Sequence, residues 1–201
     1  HKQCIIGCDK EATRELKVKT VDYFKNLQKI TNILGEPNYN YIDKFINPND
    51  KIVIFSPHPD DDVIGLGGTL QKFNKQNVTV VYMTNGSHGY DKSKYSHNPR
   101  IIEAILSLKV LGYKKSNTKF LELPFYKEKT VTSKDFDIIS DLLEELKPNH
   151  IFVCNDTDPS KTHNKCYSII KNSKFNKNLK YIWLYNSAWG NWNSMNLSNK
   201  N

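Results

Sequence analysis

Apolar positions along this chain follow two alternating rhythms. Five short runs, Ile52 to Phe55, Asn77 to Thr84, Lys119 to Leu123, His150 to Cys154 and Leu179 to Tyr185, have the length and β-branched content of strands in a covered parallel sheet. The third is short and edge-like. Between them apolar residues recur at three- and four-residue steps, the spacing of one helix face. One such stripe is Val63, Ile64, Leu66 and Leu70. A second, Ile101 to Leu111 within Arg100 to Leu111, is closed by Gly112. A third, Phe136 to Leu146, starts at Ser133 as expected N-cap and stops at Pro148, and a fourth covers His163 to Lys171. Strand and helix alternate, which predicts an α/β fold: a Rossmann-like three-layer sandwich with a mostly parallel sheet of about five strands. An earlier stripe, Ala12, Leu16, Val18, Val21, Phe24, Leu27, Ile30 and Leu34, ends at Gly35 and Pro37. Residues 1–45 therefore read as a linker helix and its connection, and 46–201 as the α/β domain. The Asn/Ser-rich tail beyond Asn186, with Trp189 and Trp192, is expected to fray.

The chemistry concentrates between the first strand and the first helix. Ser56-Pro57-His58-Pro59 forces a turn, and Asp60, Asp61 and Asp62 follow in the first helical turn, where free N–H groups and the helix dipole favour carboxylates. A lone acidic run is more often a solvated cap, but this one stands outside the carboxyl end of a strand, where open α/β sheets bind ligands. If strand order reverses beside the first strand, the fourth becomes its neighbour. Its loop then brings Asp156, Asp158 and His163 opposite. Imidazole and carboxylate together suit a divalent metal, and a catalytic zinc takes three protein ligands. His58 and Asp61 can point at one centre, and His163 is the best-placed third. His88 and His97 are rivals on a long loop, His150 begins the fourth strand at the far end of the sheet, and His1 is terminal. Asp60, between the two first-loop ligands, is placed to take a proton from water as general base. These parts fit hydrolysis of an amide or ester.

Composition narrows the partners. The 201 residues carry a net charge of +8 with a pI near 9.1. The lysines are scattered among asparagines, and Arg14 and Arg100 are the only arginines, so nucleic acid is not an expected partner. No apolar run approaches the ~20 residues of a membrane span. Cys154 and Cys166 fall in apolar patterns, as buried free thiols do. Cys4 and Cys8 lack a second Cys/His pair nearby. A reducing, cytoplasmic setting is expected. The chain begins at His1 rather than Met, which leaves open further targeting or partner domains.

Ser-Pro-His-Pro-Asp-Asp-Asp followed by Gly-x-Gly-Gly resembles the signature of the LmbE/PIG-L family of zinc-dependent de-N-acetylases. Further similar segments are Thr84-Asn85-Gly86, Arg100-x-x-Glu103-Ala104 with Leu111-Gly112, Leu121 to Tyr126, Asp156-x-Asp158-Pro159-x-x-Thr162-His163, and the stretch from Trp183 to Trp192. The likeness covers most of the chain from Lys51 to Trp192. It is specific at the first motif and points to the branch fused to glucosamine-6-phosphate-deaminase-like domains. The resemblance implies removal of acetyl from an N-acetylglucosamine-type sugar. It implies Zn2+, or another divalent ion, on His58, Asp61 and His163, with Asp60 as base and with Arg100, Asn85 and Asp158 on the substrate side. A salt bridge to Glu103 is the rival role for Arg100. A small-molecule amino-sugar substrate, a fused or associated deaminase-like domain and homo-oligomers are the partners it implies. The sequence departs from the pattern at Ser160, where the family carries a histidine thought to polarise the carbonyl. Lys161 beside it offers positive charge. That departure leaves a second reading, a catalytically impaired sugar- or metal-binding domain accompanying the deaminase-like one. A polyanion-binding module is a third reading, supported by net charge alone.

Overall fold

The computed structural model describes residues 42–87 and 98–187. The expected helix over 12–34, His1, Cys4, Cys8, His88, His97, Trp189 and Trp192 lie outside them. The elements in order are β1 (Ile52–Ser56), α1 (Asp61–Leu70), β2 (Val78–Tyr82), α2 (Pro99–Val110), β3 (Thr118–Phe120), α3 (Phe125–Glu128), α4 (Ser133–Leu146), β4 (His150–Cys154), α5 (Lys161–Lys171) and β5 (Tyr181–Tyr185). The sheet order is β3-β2-β1-β4-β5 and every pairing is parallel. Strand order reverses beside β1, which pairs β2 on one side and β4 on the other.

Alternation along β1 sorts the core into two layers. Ile52 and Ile54 face α1 and α2, in a cluster with Leu66, Leu70, Ala104 and Leu108. Val53 and Phe55 face α4 and α5, in a cluster with Ile139, Leu143, Cys166 and Ile169. All five residues of β1 are buried, as a strand covered on both faces requires. Each large apolar side chain taken out of water there contributes roughly 1.5–3 kcal/mol. The central strand is thus fixed by packing, and its carboxyl end has one position in space.

Several boundaries differ from the sequence expectation for local reasons. Beyond β2 the Met83 and Thr84 N–H groups still bond to the Ser56 and Pro57 carbonyls, at 2.9 and 3.1 Å, so the chain stays parallel to the loop after β1. β3 ends at Phe120, where Glu122 with a left-handed φ of 49° interrupts the extended run, although the Leu121 and Leu123 N–H groups still bond to the Tyr82 and Met83 carbonyls at 3.0 and 2.9 Å. The single turn α3 was too short to leave a periodic signature. α4 is capped by Thr132 rather than Ser133. The Asp135 carboxylate accepts both the Thr132 N–H at 2.8 Å and the Phe125 N–H at 2.9 Å. One buried side chain thereby ties α4 to α3. Gly65 has a steric reason: a Cβ there would meet the Tyr185 ring at 2.4 Å and the Asn186 carbonyl at 2.7 Å. Only glycine lets α1 cross that closely over the end of β5.

Candidate metal centre

Three elements deliver three side chains to the carboxyl end of β1 and β4. His58 comes from the turn after β1, Asp61 opens α1, and His163 lies in the first turn of α5. Ser56 holds the turn: its hydroxyl donates to the His58 carbonyl at 2.6 Å and accepts the Asp62 N–H at 3.1 Å. The His58 N–H in turn donates to Asp61 Oδ2 at 2.9 Å. These local bonds aim that oxygen inward. The sequence fragment Ser-Pro-His-Pro-Asp-Asp-Asp folds this way because the prolines cannot take up ladder bonds, while serine and aspartate supply replacements.

The donor atoms form a nearly equilateral triangle. His58 Nδ1 lies 3.1 Å from Asp61 Oδ2 and 3.1 Å from His163 Nε2, and His163 Nε2 lies 3.2 Å from Asp61 Oδ2. Among the described residues this is the group of histidine, cysteine and acidic side chains able to hold an ion. A tetrahedral ion with ligand bonds of about 2.0–2.1 Å needs donor atoms about 3.3 Å apart. The residues present fit that demand. The side chains of Asp61 and His163 are 5% and 2% exposed, and His58 is 19% exposed, so the triangle opens on the His58 side.

Protonation supports the same geometry. His163 Nδ1 lies 2.9 Å from Asp158 Oδ2, so its N–H donates there and Nε2 is the nitrogen that faces the triangle. Asp158 is itself fixed. Its Oδ1 accepts the Ser160 N–H at 2.9 Å and its Oδ2 accepts the Ser187 hydroxyl at 2.9 Å. Two imidazole nitrogens and one carboxylate oxygen thus converge on one point, where protons or a cation must lie between them. Burial opposes a charge on Asp61, yet the neighbouring His163 and His58 hold its carboxyl far below the usual range. Burial likewise opposes an imidazolium at His163, but Asp61, Cys154 and Asp158 push it well above its ordinary value. A cation is what this cluster attracts. Beneath it Asp62 is pushed up to about 6 by burial, although the Tyr82 hydroxyl donates to it at 2.9 Å.

The remaining candidates separate into three positions. The Asp60 side chain is 44% exposed and pairs with Arg100 Nη2 at 2.5 Å. Arg100 Nη1 donates to the Gly86 carbonyl at 3.2 Å, so the guanidinium is held by Asp60 and Gly86 rather than by Glu103. Asn85 is half-buried. Its side chain accepts the Ser87 N–H at 2.9 Å, and its carbonyl accepts from Asn98 at 2.5 Å. Asp158, expected beside the substrate, is placed behind His163 with both oxygens committed to protein donors. The physical reason is that a buried ring N–H and a buried hydroxyl each require an acceptor. His150 sits at the other end of the sheet, as expected. Sequence reasoning missed Ser187 and Tyr126. Ser187 is two residues past the end of β5, which is the signal that could have placed it. Tyr126, on α3, sets its ring edge-on to His58 at 6.1 Å between centroids.

The family model for PIG-L, described as GlcNAc-PI de-N-acetylase, matches residues 53–174. The chain belongs to the PIG-L family. A glucosamine-6-phosphate deaminase-like protein of Bacteroides thetaiotaomicron is 29% identical over 81% of this chain and 35% of its own length. Diacetylchitobiose deacetylase of Thermococcus kodakarensis is 35% identical over 43% of this chain and 36% of its own. The chain thus spans about a third of the length of these curated relatives. The structure of the N,N'-diacetylchitobiose deacetylase from Pyrococcus horikoshii superposes with a TM-score of 0.50 at 24% identity, covering 87% of this chain and 72% of that one. That likeness is one of fold, and it places the PIG-L chain among Rossmann-like α/β proteins. No helix among the described residues is long and apolar enough to cross a membrane.

Proposed function

We propose that this PIG-L domain removes the acetyl group from an N-acetylglucosamine-type sugar, with Zn2+ held by His58, Asp61 and His163. The observation that carries the reading is the triangle of donor atoms, 3.1 to 3.2 Å on each side, with His58 its most exposed member. An ion bound there supplies a Lewis acid and lowers the pKa of water. The protein's own residues do the rest. Asp60 adjoins ligand Asp61 in sequence, and its exposed carboxylate takes the proton of the attacking water and returns it to the leaving amine. Asp158 holds His163 in the tautomer that presents Nε2. The ring of Tyr126 walls the site beside His58 and narrows the room for the sugar. Asn85, after β2, and Arg100, in the first turn of α2, stand on the Asp60 side of the site.

Ser160 is the N-cap of α5 and has no side-chain cap bond. It occupies the place where the family resemblance expects a histidine to polarise the carbonyl. One absent oxyanion donor costs about 10²–10³ in rate. This favours a slow enzyme, or a second reading in which the domain binds metal and sugar beside a deaminase-like partner. The match to a deaminase-like relative supports such a fusion. Free, buried Cys154 and Cys166 support a reducing, cytoplasmic setting.

The test is release of acetate and free amine from N-acetylglucosamine, its 6-phosphate and diacetylchitobiose by the zinc-loaded protein. Asp60→Asn is expected to lower turnover at least about 100-fold with zinc still bound at one equivalent. Normal turnover in that variant removes Asp60 as the base. Ser160→His is expected to raise kcat by about tenfold or more. Absence of turnover in both the natural chain and Ser160→His leaves the binding-domain reading.

A further inference from the structure

We infer that Arg100, seated against Gly86, is a positioning residue that fixes the orientation of the Asp60 carboxylate. The inference rests on the proposed role of Asp60 as base. Asp60 is the N-cap of α1 but makes no side-chain bond to its own helix. Left alone, a carboxylate that is 44% exposed would sample several rotamers. Arg100 Nη2 holds Asp60 Oδ2 at 2.5 Å, a charge-assisted bond. The guanidinium is held from behind by Nη1 on the Gly86 carbonyl at 3.2 Å. Two of its three nitrogens are therefore committed to protein acceptors.

The brace is built from three segments that meet only in the fold. Asn98 caps α2: its Oδ1 accepts the Arg100 N–H at 3.0 Å, and its Nδ2 donates to the Asn85 carbonyl at 2.5 Å. That fastens the start of α2 to the chain after β2. Thr84, one residue earlier, donates its hydroxyl to the Pro57 carbonyl at 2.7 Å, which fastens the same chain to the turn carrying His58. Gly86 has φ +61°, and a Cβ there would lie 2.8 Å from Arg100 Nη1 and 2.9 Å from Pro59 Cδ. Any side chain at 86 would displace the guanidinium from Asp60. The glycine is there to make room for the brace, as well as to allow the turn.

Steady-state deacetylation by Arg100→Ala and Arg100→Lys tests this on the zinc-loaded protein. Misplacing a reacting group by about 1 Å costs on the order of 100-fold. Both variants are expected to lose about 10- to 100-fold in kcat with KM within about twofold, and added guanidinium ion is expected to restore part of the Arg100→Ala loss. A KM rise of about tenfold with kcat unchanged would assign Arg100 to the substrate and overturn the proposal. A second arm needs neither metal nor turnover. With Arg14 and Arg100 the only arginines, the 15N side-chain NMR spectrum is simple. Slow guanidinium rotation is expected at Arg100 and fast rotation in Asp60→Asn. Equal rotation in the two proteins overturns the brace. Absence of deacetylation by the natural chain would instead sink the proposed function, while the NMR arm still decides the brace.

Discussion

The two ends of the β1–β4 pair each bury a histidine beside an aspartate, and they differ in how donors and acceptors are matched. At the amino end the Trp183 indole N–H donates to His150 Nδ1 at 3.1 Å. That leaves His150 Nε2 to carry the proton it shares with Asp50 Oδ2 at 2.9 Å. Asp50 also accepts the Asn47 N–H at 3.0 Å and the Lys180 ammonium at 2.7 and 2.9 Å. Every acceptor there has a donor, and the His150 ring is stacked against Tyr181 and Trp183. At the carboxyl end His58 Nδ1 and His163 Nε2 face each other at 3.1 Å, and both also face Asp61 Oδ2. A buried His–Asp contact is therefore not in itself a sign of a metal centre. The sign is an unbalanced set of acceptors around one point, with an opening beside it.

The largest expected effect comes from breaking the unbalanced end. His163→Ala is expected to weaken zinc binding by well over 100-fold, since even loss of a residue that orients a ligand costs about 10–100-fold. Asp158→Asn supplies that smaller loss, about 10–100-fold, because the amide cannot hold the His163 tautomer as a carboxylate does. Zinc affinity by competition with a chelator measures both. Equal losses in the two variants would mean that His163 is not a ligand. The balanced end should respond in the opposite sense. His150→Leu strips Asp50 and Trp183 of one partner each and is expected to cost about 1–3 kcal/mol in denaturant unfolding. Its zinc affinity is expected to stay within about twofold of the natural chain. A large loss of zinc in His150→Leu would erase the distinction between the ends.

The same contrast shows what the sequence could and could not disclose. The limits of β4, the strand-turn-helix around His58 and the meeting of that turn with His163 were legible, because they follow from hydrophobic period, prolines and one topological reversal. The direction in which each side chain faces was not. Asp158 reads as a loop carboxylate available to substrate, yet a buried imidazole N–H and the Ser187 hydroxyl claim it from behind. Arg100 and Asp60 are forty positions apart, and nothing local to either states that they pair. Gly86 carried a partial signal, since glycine after a strand marks a turn or a close approach. The group that approaches it comes from another helix. α3 is one turn long, below the length at which periodicity exists. What escapes a reading of the chain is the assignment of hydrogen-bond partners across elements, and that assignment is also what separates the two ends of the sheet.

The smallest expected effect tests the balanced end by pH. Burial opposes the charge on Asp50, but Lys180, the Asn47 N–H and His150 outweigh it and lower its pKa from 3.8 to about 2. The unfolded chain then binds more protons than the native one between about pH 4 and 2. Stability from this group is complete above that window and is lost as pH falls through it, by at most about 2 kcal/mol. Asp62 titrates with the opposite sign. Its pKa is raised to about 6, so protonation between about pH 6 and 4 favours the native state. The raw acid limb mixes the two, and the difference between the natural chain and Lys180→Met isolates the Asp50 contribution. Lys180→Met is expected to be less stable by about 1 kcal/mol at pH 5 and to converge on the natural chain near pH 2. A difference that stays constant down to pH 2 would show that Lys180 acts through its methylenes and not through the charge of Asp50. The amino end would then be a packed aromatic cluster rather than a closed proton network.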